Sequence, residues 1–314
     1  MTSATAAWYL RFADGEAHGR SAIYEEWARG VASDPVVLAL LNRLPEQKRQ
    51  PALVFGTARL LGADAGGWPA FRGWLLEHWD AVAAEARRRS TQANEPGRCA
   101  ALLPAMALVP QPIALIEVGA AAGLTLIPDR YSYRYGEARV GDGRLVLDCA
   151  IAGPVPVPTA VPDIRWRCGI DLDPLDVTND EDVHWLETLV WPEAADRRQR
   201  IRAAADIARR DPPAIARGDA VDALHEAVAL VPDGLTPLVV TSGTLVYVPG
   251  LRRREFRRLV RELGCHWLAL EGLRVFPDLT PENIPATPGT PFLVTLDERP
   301  LAVADAHGQW LTWL

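Results

Sequence analysis

Residues 113–126 read Ile113-Ala-Leu-Ile-Glu-Val-Gly-Ala-Ala-Ala-Gly-Leu-Thr-Leu126, and the kind of residue changes abruptly at Gly119. Before that glycine, a short and almost unbroken apolar run is typical of a parallel strand that is covered on both faces. After it, residues 119–123, the glycine turn, have only small side chains, which allow a ligand to approach the backbone N–H groups. We expect a helix to begin near Gly123 and to face an anion or another polar ligand.

Glu117 is the one charged residue of this predicted strand. A carboxylate is costly to bury without a partner, so Glu117 should face a cleft or a hydrogen-bond donor. The spacing of Glu117, Gly119 and Gly123 resembles the first motif of class I S-adenosylmethionine-dependent methyltransferases, with Ala121 in place of the middle glycine. A tight turn without a ligand and the nucleotide-binding turn of a dehydrogenase are alternative interpretations of the same residues.

Composition restricts the class of function. The chain has 314 residues, of which 49% are hydrophobic and 23% charged, enough for one large core or two modest ones. Its net charge of −7 argues against a general affinity for nucleic acid. The four cysteines are scattered without a Cys-x-x-Cys pair, so neither a metal site nor a disulfide framework is predicted.

The sequence contains one lysine, Lys48, and no phosphate-binding Gly-Lys-Ser or Gly-Lys-Thr loop. A Schiff-base enzyme would therefore have to use Lys48, which lies in a polar stretch just before Pro51. No apolar run approaches membrane-spanning length, and the N-terminus lacks the pattern of a signal peptide. We expect a cytoplasmic protein that acts on a small molecule, without a nucleic-acid or membrane partner.

A helical subdomain is predicted over residues 1–110, because apolar residues recur there at helical spacing and β-branched residues are few. Its aromatic stripes are interpreted as core packing. Near its end, Asn94, Glu95 and Arg98 precede an apolar helix. Either Asn94 or Thr91 caps that helix, or the three polar residues line the cleft opposite the glycine turn.

The segment Pro128-Asp-Arg-Tyr-Ser-Tyr-Arg-Tyr-Gly136 is dense in residues that combine ring and polar contacts. We predict that Asp129, Arg130 and Tyr131 face the substrate, with an amphipathic sheet edge as the alternative. Residues 137–140 and 144–151 read as a hairpin, and the prolines of residues 154–162 predict an extended connector. An insertion over about residues 136–163 is therefore expected.

Residues 164–171 read as a second core strand that ends in acids. In dinucleotide-binding and methyltransferase folds, a carboxylate at the end of the second strand takes the ribose hydroxyls. Asp171 is the candidate. Asp148, which lies closer to the glycine turn in sequence, is the second choice.

Later strand ends supply further candidates. Asp219 and the following Ala220 come after a short third strand, where a methyltransferase-like site would hold adenine; a helix-capping Asp219 is the equally weighted alternative. Ser242 and Tyr247 lie at the mouth of a fourth strand, within residues 237–248.

The predicted fold class is α/β: a Rossmann-like class I methyltransferase sheet, mostly parallel with an antiparallel last strand, over residues 111–314. A fifth strand is expected at residues 266–271. Two final strands are expected at Phe292–Leu296 and at residues 309–314, joined by a turn region.

Several motifs together resemble the bacterial domain-of-unknown-function family 2332 over essentially the whole chain. They are Thr91-Gln-Ala-Asn-Glu95, Glu117-Val-Gly-Ala-Ala-Ala-Gly-Leu124, Asp129-Arg-Tyr131, Gly169-Ile-Asp-Leu-Asp-Pro-Leu-Asp176, Leu189-Val-Trp-Pro-Glu193 and Gly218-Asp-Ala-Val-Asp-Ala-Leu224. The resemblance implies a helical N-terminal part followed by a methyltransferase-like domain. Val240-Thr-Ser-Gly-Thr244 departs from the histidine-containing version of that segment that we associate with the family.

The expected function is methyl transfer from S-adenosylmethionine to a small molecule. A non-catalytic protein with the same fold and an NAD-dependent oxidoreductase are the alternatives. The residues expected to bind the cofactor are Glu117, Gly119, Ala121, Gly123, Asp171, Asp219, Ala220 and Ser242. Those expected to bind the substrate are Asn94, Glu95, Arg98, Asp129, Arg130, Tyr131 and Tyr247.

Overall fold

The computed structural model describes residues 4–314. Its α-helices, in chain order, are α1 (Ala4–Phe12), α2 (Ala22–Ser33), α3 (Pro35–Leu41), α4 (Pro51–Leu60), α5 (Trp68–Glu77), α6 (Trp79–Arg88), α7 (Arg98–Met106), α8 (Asp180–Leu189), α9 (Ala195–Ala208), α10 (Leu224–Ala229) and α11 (Gly250–Glu262). Within these described residues, none of the helices combines the length and the apolar character needed to cross a membrane.

The β-strands, in chain order, are β1 (Ile113–Val118), β2 (Ser132–Tyr135), β3 (Ala138–Val140), β4 (Val146–Asp148), β5 (Ala150–Ala152), β6 (Ile164–Asp171), β7 (Ile215–Arg217), β8 (Thr236–Ser242), β9 (His266–Gly272), β10 (Phe292–Leu296), β11 (Arg299–Ala304) and β12 (Trp310–Trp313).

The chain divides into two compact units, one of residues 1–93 and 180–199, the other of residues 94–179 and 200–314. The first unit is helical. The second contains both sheets and also α7, which the sequence had grouped with the N-terminal helices. All of α7 is buried, and it contacts β9 and β10. A helix that is apolar around its whole circumference is a core element, which explains why α7 belongs with the sheet.

The core of the first unit is aromatic. Trp27 stacks on Phe71 with ring centroids 3.6 Å apart, and Phe55 meets both rings edge-on. Local sequence fixes where the helices begin. Ser21 accepts a hydrogen bond from the backbone N–H of Tyr24 at the start of α2, which satisfies one of the N–H groups that have no partner within the helix.

The large sheet has the strand order β5-β12-β11-β10-β9-β8-β1-β6-β7. Strand β1 pairs in parallel with β6 on one side and with β8 on the other. Strands β7 and β9 continue the parallel arrangement outward, whereas β10, β11 and β12 form an antiparallel meander. The protein is therefore a mixed α/β structure with a large, mostly parallel sheet.

The chain leaves β1 towards β6 and β7, and later returns to build β8 and β9 on the opposite side. The strand order thus reverses between β1 and β8. In open α/β sheets, the carboxyl ends of the strands at such a reversal leave a crevice. Glu117, the glycine turn and Ser242 all lie at this edge of the sheet.

The helix predicted near Gly123 is absent, and this prediction was wrong. Gly119, Ala121 and Gly123 all have positive φ, at 80°, 49° and 74°. A right-handed helix cannot contain this alternation, so residues 119–126 form consecutive turns that lead to a short 3₁₀ turn at Pro128–Arg130.

Two other predictions need correction. The hairpin joins β2 to β3 through Gly136, while β4 pairs in parallel with β2 in a separate three-stranded sheet, β3-β2-β4. Strand β11 was not predicted, because Pro300 lowers the strand signal. The turn between β10 and β11 uses Asp297 and Glu298 at positive φ, without the glycine that normally marks such a hairpin.

The Trp27→Ala variant should lower the free energy of unfolding by about 3–5 kcal/mol, because it leaves a large cavity in the aromatic core. Trp27 is fully buried and its indole N–H donates to the Gly66 carbonyl at 2.8 Å. Urea unfolding followed by circular dichroism measures the change. The control Trp8→Ala removes a half-buried tryptophan, and an equal loss in both variants would contradict this placement of the core.

Candidate functional site

The glycine turn is closed by atoms of the chain itself. A Cβ atom at Gly119 would lie 2.2 Å from the Thr244 hydroxyl oxygen, and one at Gly123 would lie 2.4 Å from Cγ of Pro213. The backbone N–H of Gly119 donates to the Ile170 carbonyl at 2.8 Å. Both glycines are thus required by packing against neighbouring side chains, whereas the sequence suggested that a ligand occupies this space.

Asp171 lies against the glycine turn. One carboxylate oxygen accepts the backbone N–H of Ala121 at 2.8 Å, and the other accepts that of Asp173 at 2.8 Å. Asp148 lies in the small sheet, where it forms an ion pair with Arg134. Of the two acids considered for the ribose, the structure therefore brings Asp171 to the turn and leaves Asp148 elsewhere.

Glu117 is 3% exposed at the end of β1. Its Oε1 accepts a short hydrogen bond from the Thr125 hydroxyl, while its Oε2 is buried without a hydrogen-bond partner. Burial raises the pKa of Glu117 to about 8, although the hydrogen bond from Thr125 and the charge of Arg98 act in the opposite direction. A buried acceptor without a partner is a place where a ligand can donate a hydrogen bond.

Asn94 secures the residues that follow the glycine turn. Its Oδ1 accepts the backbone N–H of Leu124 at 2.8 Å, and its Nδ2 donates to the Thr125 hydroxyl at 3.2 Å. Asn94 is thus used at the turn and makes no side-chain cap for α7, which begins at Arg98. Of the two interpretations of this residue, the geometry favours the one that places it beside the turn.

Arg98 and Glu95 extend the same polar cluster. The Arg98 guanidinium donates to the Ser242 carbonyl at 2.6 Å and to the Ala306 carbonyl at 3.0 Å. Glu95 accepts from Nε of Arg200 at 2.7 Å, and Nη2 of Arg200 is buried without a partner. The sequence did not indicate Arg200, because it lies on the amphipathic helix α9 among several other arginines.

Glu271, at the end of β9, was also missed. It is 2% exposed, and its Oε1 accepts the backbone N–H groups of Thr244 and Leu245, each at 3.1 Å. Its Oε2 is buried without a partner. Burial raises the pKa of Glu271 to about 7, against the effect of the two N–H groups, of Arg98 and of the Thr241 hydroxyl. The sequence signal that could have identified Glu271 is an acid at the end of an apolar strand, as at Glu117.

Ser242 ends β8, one residue beyond Thr241, which pairs with Val118 of β1. It is 3% exposed, and its hydroxyl has no hydrogen-bond partner. The Thr241 hydroxyl, by contrast, accepts from the Trp267 indole at 3.2 Å and belongs to the core. Ser242 therefore adds a third free polar atom at the carboxyl edge of the sheet.

Asp219 and Ala220 take part in local structure. Asp219 accepts the backbone N–H of Val221 at 2.9 Å and pairs with Arg252 at 2.5 Å, while Ala220 is buried in the apolar core. Asp219 therefore stabilises the turn before α10, but it is not the helix cap that the alternative interpretation expected, because the N-cap of α10 is Ala223 and has no side-chain cap. Adenine recognition by this pair stays a prediction.

The residues predicted to bind substrate after the glycine turn serve intramolecular contacts. Asp129 forms a two-point ion pair with Arg167, and Arg130 pairs with Asp211. Tyr131 is fully buried and donates its hydroxyl proton to the Leu124 carbonyl at 2.6 Å. Tyr247, on the loop after β8, is 72% exposed.

Within this polar cluster the carboxyl groups outnumber the guanidinium groups. Glu95, Glu117, Asp171 and Glu271 stand against Arg98 and Arg200, which is four acids to two bases. Among the residues that the structure describes, no group of three or more His, Cys, Asp or Glu side chains could hold a metal ion. The cluster is suited to an organic ligand that brings positive charge or N–H and O–H donors.

Two concave regions lie away from this cluster. One, in the helical unit, has Trp68, Asp34 and Arg72 in its wall; the other includes Arg130, Arg144 and Arg210. Neither region includes a residue of the glycine turn. The candidate site is therefore a set of buried polar groups at the carboxyl edge of the sheet.

A family model described as an uncharacterized protein conserved in bacteria, domain of unknown function 2332, matches residues 6–313. The chain belongs to this family. No curated protein and no solved structure resembled the chain closely enough to count as a match. The family assignment supports the resemblance seen in the motifs, and it carries no activity with it.

Gly119→Ala should destabilise the protein by about 2–4 kcal/mol, because overpacking adds to the strain of a positive φ. The control is Gly136→Ala, since Gly136 also has positive φ but no atom lies within 4 Å of its would-be Cβ. Adding Thr244→Ala to Gly119→Ala should recover part of the loss. Equal destabilisation by the two glycine variants in urea unfolding would show that Thr244 does not occupy this space.

Glu117→Gln should change how stability depends on pH. The pKa of Glu117 rises from its ordinary value of 4.5 to about 8 in the folded protein. Its stabilising contribution is therefore complete below pH 4.5 and is lost as the pH rises through 8. The free energy of unfolding of the wild type, relative to the variant, should fall between these values by up to about 1.4 kcal/mol per pH unit.

Urea unfolding at several pH values measures this difference. Glu262→Gln, at an exposed position at the end of α11, is the control for the loss of a carboxyl group outside the polar cluster. A difference for Glu117→Gln that does not vary with pH would mean that Glu117 is ionised in the folded protein.

Proposed function

We propose that the protein is an S-adenosylmethionine-dependent methyltransferase that acts on a small molecule. The observation that carries the proposal is the set of buried polar atoms without partners on Glu117, Ser242 and Glu271. They lie on β1, β8 and β9, at the carboxyl edge of the sheet where the strand order reverses. Such an edge is where ligands of open α/β sheets bind.

The order of the parallel strands agrees with this proposal. Across the sheet, the five parallel strands lie in the order β7, β6, β1, β8 and β9. In the methyltransferase plan, these positions hold the third, second, first, fourth and fifth strands. An antiparallel strand follows the fifth strand, as β10 does here. Two features differ from that plan: no helix follows the glycine turn, and the last strands form a meander. The order of the parallel strands therefore supports the proposal at the level of the fold alone.

The charges of the cluster suit this ligand. S-adenosylmethionine carries a sulfonium and an ammonium group against one carboxylate, so its net positive charge complements an excess of acids. The free Oε2 of Glu117 would accept a hydrogen bond from the ammonium group. Asp171, which already accepts the N–H of Ala121, keeps lone pairs that can accept hydrogen bonds from the ribose hydroxyls. When bound, the sulfonium supplies an activated methyl group, and the residues of the site need mainly to position the acceptor.

An NAD-dependent oxidoreductase is less well supported. The pyrophosphate of NAD binds at a helix N-terminus after the glycine turn. Residues 119–126 form turns and present no helix N-terminus, and the carboxylate of Asp171 already accepts the N–H of Ala121 in this turn. One observation favours a non-catalytic protein. Side-chain atoms of Thr244 and Pro213 occupy the space next to Gly119 and Gly123 where a cofactor would otherwise approach the backbone.

Isothermal titration with S-adenosylhomocysteine and S-adenosylmethionine tests the proposal. Both should bind, and Glu117→Gln and Asp171→Asn should each weaken binding about tenfold to a hundredfold, since each removes a charged hydrogen bond. Asp148→Asn is the matched control and should leave the affinity unchanged, because Asp148 lies in the small sheet.

Absence of heat with either compound, in protein shown to be folded by circular dichroism, would refute the proposal. Quenching of tryptophan fluorescence by NADH alone would favour the oxidoreductase. Transfer of a labelled methyl group to any compound of a metabolite library would exclude the non-catalytic alternative.

A further inference from the structure

One of the two concave regions is a cavity of about 380 Å³ in the unit that contains the sheets. We refer to it as the arginine cavity. A volume above about 300 Å³ is in the range of sites for small molecules. The cavity is lined by Arg130, Asp142, Gly143, Arg144, Ile207 and Arg210.

The first wall of the arginine cavity comes from β2 and the turn before β4. The Ser132 hydroxyl donates to the Gly143 carbonyl at 2.8 Å, and the Ser132 N–H donates to the Leu145 carbonyl at 2.9 Å. A Cβ atom at Gly143 would collide with the Arg130 carbonyl oxygen, so this turn packs directly on the backbone that carries Arg130. The backbone of Arg144 is therefore held beside that of Arg130.

The second wall is the end of α9 and the residues that follow it. Ile207 lies on α9, and Arg210 comes just after the helix ends at Ala208. Arg130 joins the two walls, because its guanidinium donates to the backbone carbonyl of Asp211 at 3.1 Å and also to the Asp211 carboxylate. The cavity thus lies between two segments that are distant in sequence and are fixed to each other.

Guanidinium groups dominate the charge of the arginine cavity. Its lining has three of them, on Arg130, Arg144 and Arg210, and one carboxylate, on Asp142. Arg130 is paired with Asp211. In the part of the chain that the structure describes, the exposed side chains of Arg144 and Arg210 form neither a hydrogen bond nor an ion pair. A concave region with an excess of one charge attracts ions of the opposite charge.

The end of α9 explains only part of this arrangement. Basic side chains near a helix C-terminus are stabilised by its partial negative charge. This effect accounts for Arg210 and for Arg209, whose Nε donates to the Val177 carbonyl at 2.5 Å. It does not account for Arg144, which the turn before β4 brings to the same cavity. Two guanidinium groups from separate segments repel each other, and an anion between them would remove that cost.

We propose that the arginine cavity binds the phosphate group of a small phosphorylated molecule. A phosphate monoester carries nearly two negative charges at pH 7 and has three acceptor oxygens. It can therefore accept hydrogen bonds from guanidinium groups on both walls, whereas a carboxylate pairs in one plane with a single guanidinium. The glycine turn contributes no residue to the lining, so this inference does not rest on the proposed function.

The test is isothermal titration of the full chain with glycerol phosphate, glycerate and glycerol, which differ in their charged group. Glycerol phosphate should bind, glycerate should bind at least about tenfold more weakly, and glycerol should not bind. Added salt should weaken the binding, because exposed charges are screened. Absence of heat with glycerol phosphate at low salt overturns the proposal, and so does equal affinity for glycerate.

Matched arginine variants test whether the cavity is the binding site. Arg144→Ala and Arg210→Ala should each weaken the binding of glycerol phosphate about tenfold, since each removes a charged hydrogen bond. The control is Arg139→Ala, at an exposed arginine of the same small sheet outside the lining, and it should leave the affinity unchanged. Equal weakening by all three variants would show that only the net charge matters, and it would overturn the site. Circular dichroism checks that each variant is folded.

Two further variants test the sign and the geometry of the interaction. Asp142→Asn removes the carboxylate from the lining and should tighten the binding of glycerol phosphate several-fold, because a repulsive charge is lost. Arg144→Lys keeps the charge but not the two-point donor, and its affinity should lie between those of the wild type and Arg144→Ala. Unchanged or weaker binding by Asp142→Asn would place the phosphate away from this wall and overturn the proposal.

Discussion

The hydrogen bond between Thr125 and the buried carboxyl of Glu117 is the constraint on which the site depends. Thr125 lies eight residues after Glu117 in the sequence. The chain must therefore turn back on itself after β1, so that the Thr125 hydroxyl reaches the carboxyl group at the end of that strand. Positive φ at Gly119, Ala121 and Gly123 makes this return possible. Asn94 then accepts the backbone N–H of Leu124, so the segment that precedes α7 is also fixed to this turn.

The same device occurs at β9. Glu271 is a buried acid at a strand end, and it is satisfied on one oxygen by N–H groups of a neighbouring turn. Arg98 acts electrostatically on both acids and lowers the pKa of each against the effect of burial. The effect of burial is the larger one, so the pKa of both acids stays raised, and a bound cation would shift both towards the charged form.

The sequence was informative wherever apolar runs and strand order determine structure. Strands β1, β8 and β9 follow from apolar segments, and β6 follows from a mixed segment that ends in acids at Asp171. The helix at Gly123 was predicted wrongly because small residues permit a turn as easily as a helix start. Arg200 and the role of Glu271 depend on contacts between segments distant in sequence, and no local pattern records such contacts.

The central position of β1 also has a consequence for the order of events during folding. Ile113 pairs with Ile164 on one side and with Thr236 on the other, 51 and 123 residues later in the chain. Loop closure over such distances is slow, and β1 has no sequence-local partner in its own sheet. During synthesis, this apolar strand therefore emerges long before β8 exists, and its apolar side chains lack their partner strand until β8 has left the ribosome.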